Sequence, residues 1–276
     1  MTPIDTSLLI FGPKSAMAAI RSPFKEVFDG TYKGECVLIH ALPLNQSTGK
    51  AVPTLLRISA LMRKARHPNV LEFVGMGSDK TRSLMLTEAT DHGTLSNHLE
   101  QNSPRNVRGS IKILRDVANG MRWVHDNGIL HRALTAASIH VTRAGEAKVG
   151  NFEFARQDAL FGVRTNFGIP SYAAPEILSR TPIYTEKIDV YSFAMLIVEV
   201  VTTQQPFANI KAPQATLMKY IVQRNYRPVF VRTSEWPAAL FELMEKCWDA
   251  NPVLRPSFNE IVECLEAILA ADALHQ

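Results

Sequence analysis

The sequence predicts an α+β fold in two lobes, a strand-rich front followed by a mainly helical rear, and three observations carry that expectation. The first third alternates short apolar runs with turn residues around one stretch of helical periodicity. After Asp91-His92-Gly93 the texture changes to long amphipathic helices. With 276 residues, 46% of them hydrophobic, the chain is long enough to bury a core in each part.

Each element follows in order. Residues 1–18 contain the apolar piece SLLIFG, but Asp5 and Pro13 interrupt it and no basic leader precedes it. That pattern is neither a signal peptide nor a membrane span, so 1–18 is set apart as an N-terminal extension, with the front lobe at 19–90 and the rear at 91–276. Residues 24–42 read as strands joined by a turn at Asp29-Gly30. Leu55, Ile58, Met62 and Ala65 then recur at helical spacing until His67-Pro68-Asn69 stops the helix. The runs VLEFVGM and SLMLTEA flank the polar turn GSDKTR as a hairpin. In the rear, Ile111, Leu114, Ala118, Met121 and His125 share one face of a helix over 108–126, and residues 138–150 form a small hairpin. Ser257 and Glu260 make a capping box for a last helix through Phe258, Ile261, Val262, Leu265 and Leu269.

Composition narrows the function. The net charge of +4 is mild and its Lys and Arg residues are scattered. The densest cluster, residues 57–67, closes a helix, where cations complement the negative end of the dipole. No nucleic-acid surface and no membrane insertion are expected. Cys36, Cys247 and Cys264 lack metal spacing, so free thiols, no metal site and a cytoplasmic address follow.

The chemistry-bearing strings lie in the rear lobe: HRALTAASIHV from His131, KVGNFEFAR from Lys148, AAPEIL from Ala173, KIDVYSFAMLIVEVVT from Lys187 and CWDANPVLRPSF from Cys247, with RHPNVLEFVG from Arg66 ahead of them. In this order they resemble the protein kinases, in particular the tyrosine-kinase-like and tyrosine kinase branches, over nearly the whole chain. The resemblance implies the bilobal protein-kinase-like fold, a strand-rich N-lobe with one regulatory helix and a mainly helical C-lobe. It also implies structural roles. Glu176 pairs with Arg255, Asp189 holds the backbone of the His131 and Arg132 loop, and His131, Phe152, Met62 and Phe73 form an apolar column coupling the lobes.

Carried over residue by residue, the same resemblance places neutral side chains where phosphoryl transfer needs charge. Ala133 stands for the Asp that orients the attacking hydroxyl, a contribution worth about 10²–10⁴-fold. Ser138 and Asn151 stand for the two metal ligands, where magnesium prefers charged oxygen in octahedral geometry. His40 replaces the phosphate-binding Lys of the third strand, and Ile58 its Glu partner. Ile20, Ser22 and Lys25 occupy the three glycine positions of the phosphate loop, and Pro23 removes a backbone donor. Leu38 and His140 replace the small Ala and the Leu that sandwich adenine, so they are expected to fill the pocket. Thr87 guards its back, followed by Glu88 and Ala89.

Several features leave room for an active enzyme. Kinases that lack the strand Lys are similar in placing a Lys at the last glycine position, here Lys25, and Glu153 offers a carboxylate beside the metal site. A solvated Lys25 and a surface Glu153 are the plainer alternatives. Thr165 is the candidate for activation-segment phosphorylation, with Arg132 to receive the phosphate, and an unmodified loop Thr is the alternative. The expectation is a catalytically impaired pseudokinase acting as a signalling scaffold or allosteric regulator. Its expected partners are signalling proteins, including an active kinase, with neither ATP nor magnesium as a working cofactor. The alternatives are an unorthodox ATP-dependent kinase using Lys25 and an ATP-binding regulator without turnover.

Overall fold

The computed structural model describes residues 4–15, 26–43, 51–63, 65–101, 106–157, 169–179, 181 and 184–273. The front lobe is a five-stranded antiparallel sheet in the order β1-β2-β3-β5-β4, from β1 (Leu9–Lys14), β2 (Glu26–Tyr32), β3 (Glu35–Pro43), β4 (Phe73–Ser78) and β5 (Arg82–Glu88). Helix α1 (Ala51–Met62) packs against it. Along β3 the pleat sends alternate side chains to opposite faces. Val37, Ile39 and Ala41 join a small cluster with Ile4, Tyr32, Leu84 and Leu86 on the outer face, while Leu42 joins the large core shared with α1 and the rear lobe. Leu38 and His40 therefore face the side of the rear lobe.

Two readings of the sequence need correction. Asp29-Gly30 is not a turn but lies mid-strand, with Gly30 opposite Val37. A Cβ there would fall 2.5 Å from Ile10 O and from Ile39 Cδ1, so the glycine serves close packing. The hairpin turns instead at Lys33-Gly34, both left-handed at φ 54° and 88°, the conformation a two-residue hairpin requires. Residues 9–14, set apart as part of an extension, belong to the sheet as its edge strand, and Ile4 docks ahead of them through its amide on Met76 O at 3.0 Å.

The rear lobe contains α2 (Leu95–Gln101), α3 (Val107–Asp126), the hairpin β6 (Ile139–Val141) and β7 (Ala147–Val149), then α4 (Pro175–Leu178), α5 (Lys187–Thr202), α6 (Gln214–Arg224), α7 (Ala238–Cys247) and α8 (Phe258–Ala273). Asn106 caps α3 by accepting from Gly109 N, and Ser257 and Glu260 form the reciprocal cap of α8. Helix α5 is buried all round from Ile188 to Val201, which its nearly unbroken apolar run requires. It is the core post of this lobe. Among the described residues no helix is long and apolar enough to cross a membrane.

Candidate functional site

The site lies between the lobes, on the loop from His131 to Ser138 and the turn after β7. Its foundation is Asp189 at the start of α5, fully buried. One carboxylate oxygen accepts from Arg132 N (2.7 Å), and the other from His131 N (2.8 Å) and His125 Nε2 (3.0 Å). Burial works to raise the Asp189 pKa, but these hydrogen bonds and the neighbouring histidines hold it below its ordinary value. The two amides thus fixed include that of Arg132, whose backbone is left-handed at φ 67°. Further support comes from Arg255, which is buried and bonds both oxygens of Glu176 at 2.6 and 3.1 Å.

His131 is itself a structural element. Its Nδ1 accepts from Ala133 N (3.3 Å), so Nε2 carries the proton and donates to Gly150 O (2.8 Å). Burial lowers its pKa, and the neutral ring meets Phe152 edge-on with centroids 5.0 Å apart. Met62, Phe73 and Phe152 belong to the core that runs through both lobes.

The positions where chemistry is expected hold side chains engaged elsewhere. Ala133 offers only a methyl group to a narrow cavity shared with Arg132, Ile169, Tyr172 and Ile177. Ser138 Oγ donates to Thr135 O (2.8 Å) and accepts from Thr135 N (2.9 Å), closing a 3₁₀ turn over Ala136–Ser138. Asn151 is left-handed at φ 55° and gives its amide to Ala137 O at 3.1 Å. Ile58 is fully buried in the core. Glu153 is no surface charge: it is 6% exposed, because the 3₁₀ turn Phe152–Phe154 is packed under α1.

The positions that the resemblance assigns to the adenine walls lie in the protein core. Leu38 and His140 are 1% and 2% exposed. A Cβ on Gly150 would meet His140 Cδ2 at 2.7 Å, so this ring is accommodated only because glycine stands beside it. His140 Nδ1 lies 3.5 Å from Thr90 Oγ1, and His40 Nε2 lies 3.2 Å from the buried Thr87 Oγ1. Burial pushes both imidazoles down to about 4, so both are neutral near pH 7. Glu88 is half-buried and held by Lys148 Nζ at 2.8 and 2.9 Å, beside a half-buried Ala89. Lys25 and Thr165 lie outside the described residues, as do Ile20, Ser22 and Pro23.

Arg57, counted in the sequence with the cations that close the helix, lies instead in the middle of α1, and no contact was expected of it or of Arg156. Arg57 on α1 bonds the carbonyls of Glu153 (2.8 Å) and Ala155. Burial first, then the nearby Arg156 and Arg132 guanidiniums, bring its pKa down to about 10. Arg156 in turn exchanges backbone hydrogen bonds with Leu130, at 2.7 and 2.9 Å. The available signal was a cation directly before the apolar residue that replaces the regulatory Glu.

A model of the family described as protein tyrosine and serine/threonine kinase matches residues 21–265. The chain belongs to the protein kinase family. This kinase domain is 31% identical over 248 residues to serine/threonine-protein kinase STY17 of Arabidopsis thaliana, covering 89% of this chain and 43% of that protein. It is 30% identical to dual specificity protein kinase shkB of Dictyostelium discoideum, over 89% of this chain and 39% of that one. To the Arabidopsis serine/threonine/tyrosine-protein kinase HT1 it is 27% identical, over 95% and 67% respectively. The domain thus spans less than half the length of the first two.

Proposed function

We propose that this kinase domain is a pseudokinase, one that transfers no phosphate and works as a signalling scaffold or allosteric regulator. The observation that carries the reading is where the polar atoms of the former catalytic positions go. Ser138 and Asn151, which would hold metal, are bonded to the backbone of their own loop, and His40 is bonded to Thr87. A neutral hydroxyl and a neutral amide, each already engaged, do not fit the hard, charged oxygen set that magnesium requires. The buried Leu38 and His140 fill the walls between which adenine would lie. Neither ATP nor magnesium is therefore a working cofactor. The partners that fit such a domain are signalling proteins of the cytoplasm, an active kinase among them. A phosphate on Thr165 would be received by Arg132, with Arg57 and Arg156 close by.

The test is a thermal-shift titration with ATP, alone and with magnesium or manganese. No shift at millimolar nucleotide is expected, since a ligand that binds only the folded state must raise its stability. A metal-dependent shift without turnover would point instead to a nucleotide-binding regulator. The relatives' names point to an enzyme, and transfer of labelled phosphate by the wild-type chain, lost in Lys25→Ala, would overturn the proposal in that direction.

A further inference from the structure

We infer that the lobes are held in one closed arrangement by the chain's own contacts, with no nucleotide needed, and that Arg57 fixes the angle between them. Among the described residues, and apart from the shared apolar core and the connecting segment at Thr90, three groups of polar contacts cross from the front lobe to the rear. At the end of β5, Glu88 takes Lys148 of β7 on both oxygens, while its Oε1 also accepts from Glu72 N at 2.7 Å. In the turn before β4, Val149 N donates to Asn69 O (2.9 Å), Leu71 N to Val149 O (2.8 Å) and Asn69 Nδ2 to Ala147 O (3.0 Å). Both attachments end on β7. Beyond the shared apolar core, polar contacts confined to one short strand leave the lobe free to rock about it.

The third attachment lies off that strand. Arg57 reaches from α1 to the carbonyls of Glu153 and Ala155, beyond the left-handed Asn151. Successive helix residues point about 100° apart. Ile58 can therefore sit in the core while Arg57 points at the 3₁₀ turn, so a tether survives one position away from the lost ion pair. The acceptors are backbone carbonyls, which no side-chain substitution in that turn removes. They also explain why a guanidinium is tolerated next to Arg132 and Arg156. Holding the turn against α1 keeps Phe152 on His131, so the column between the lobes is held together by the chain's own contacts. A partner would then meet a finished surface rather than one waiting for nucleotide.

Hydrogen exchange on the full chain without nucleotide tests this independently of the pseudokinase reading, because an active enzyme would carry the same clamps. The quantity compared is the exchange rate of residues 51–62 and 152–156 relative to that of α5, the core post of the rear lobe. Arg57→Met is expected to raise this ratio about fivefold or more, since local opening no longer breaks the two hydrogen bonds. Arg57→Lys, whose ammonium keeps a donor but not the fork, should fall between Arg57→Met and wild type. Lys148→Met should raise the ratio less than Arg57→Met, because the contacts of Asn69 and Leu71 to β7 remain. A smaller rise in Arg57→Met overturns the inference, and so does loosening of α5 in step, which would mean that Arg57 supports the whole fold rather than the lobe angle.

Discussion

The two ends of the loop from His131 to Ser138 have been treated in opposite ways. At its start, polar groups remain aimed at a partner that fixes the backbone: Asp189 takes two amides and an imidazole, and Glu176 holds the buried Arg255. At its far end and across the cleft, polar atoms turn inward onto their own loop or strand, as Ser138 and Asn151 do, and Ile58 lies in the core. The difference separates what a kinase fold needs in order to stand from what it needs in order to react. A buried carboxylate that satisfies buried amides cannot be lost without exposing their desolvation cost, whereas a metal ligand can be lost once its neighbours absorb the change.

The largest effect should come from the foundation. In Asp189→Ala the amides of His131 and Arg132 lose their acceptor, at roughly 1–3 kcal/mol each, for about 2–6 kcal/mol in all. Urea unfolding followed by far-UV circular dichroism measures it. Asp189→Asn, which keeps acceptor capacity, should cost less. A loss below about 1 kcal/mol in Asp189→Ala would erase the distinction between foundation and cleft.

Acid should attack the other region. His40 and His140 are held down to about 4 by burial, against 6.5 for a free imidazole. The unfolded chain therefore takes up protons that the folded chain refuses. The stability is whole above pH 6.5 and falls as the pH drops from there toward 4, by on the order of 3 kcal/mol for each histidine, at about 1.36 kcal/mol per pKa unit. Carboxylates titrate in the same range, so the informative quantity is the difference between wild type and His40→Leu. Stability of His40→Leu should fall less steeply between pH 6.5 and 4.5, and parallel curves would show that His40 is solvated.

Much of this contrast was legible in the chain. The buried helix α5 announces itself as an apolar run, the cap of α8 as Ser257 and Glu260, and the family through the order of its motifs. Less legible was anything set by contacts distant in sequence. Arg57 and Ala155 are 98 residues apart, and nothing local to either indicates the other. The turn at Lys33-Gly34 was hidden by a stronger turn signal, Asp29-Gly30, because a glycine needed for close packing looks the same as one needed for a bend. Glu153 looked exposed for a related reason, since its burial is set by α1 and not by its own neighbours.

The smallest expected effect sharpens the comparison at Asn151. Its left-handed backbone favours glycine and tolerates asparagine, and its side chain bonds both Ala137 O and His140. Asn151→Gly trades these bonds for a relaxed backbone and should stay within about 1 kcal/mol of wild type. Asn151→Ala loses both bonds and keeps the strain, at about 1–2 kcal/mol for a single left-handed residue. If Asn151 were held in place for metal chemistry rather than for this turn, Asn151→Asp should gain a magnesium-dependent rise in melting temperature. The geometry predicts none, because Ser138 stays engaged by Thr135 and His40 stays neutral, and the melting curves of Asn151→Asp with and without magnesium should superimpose.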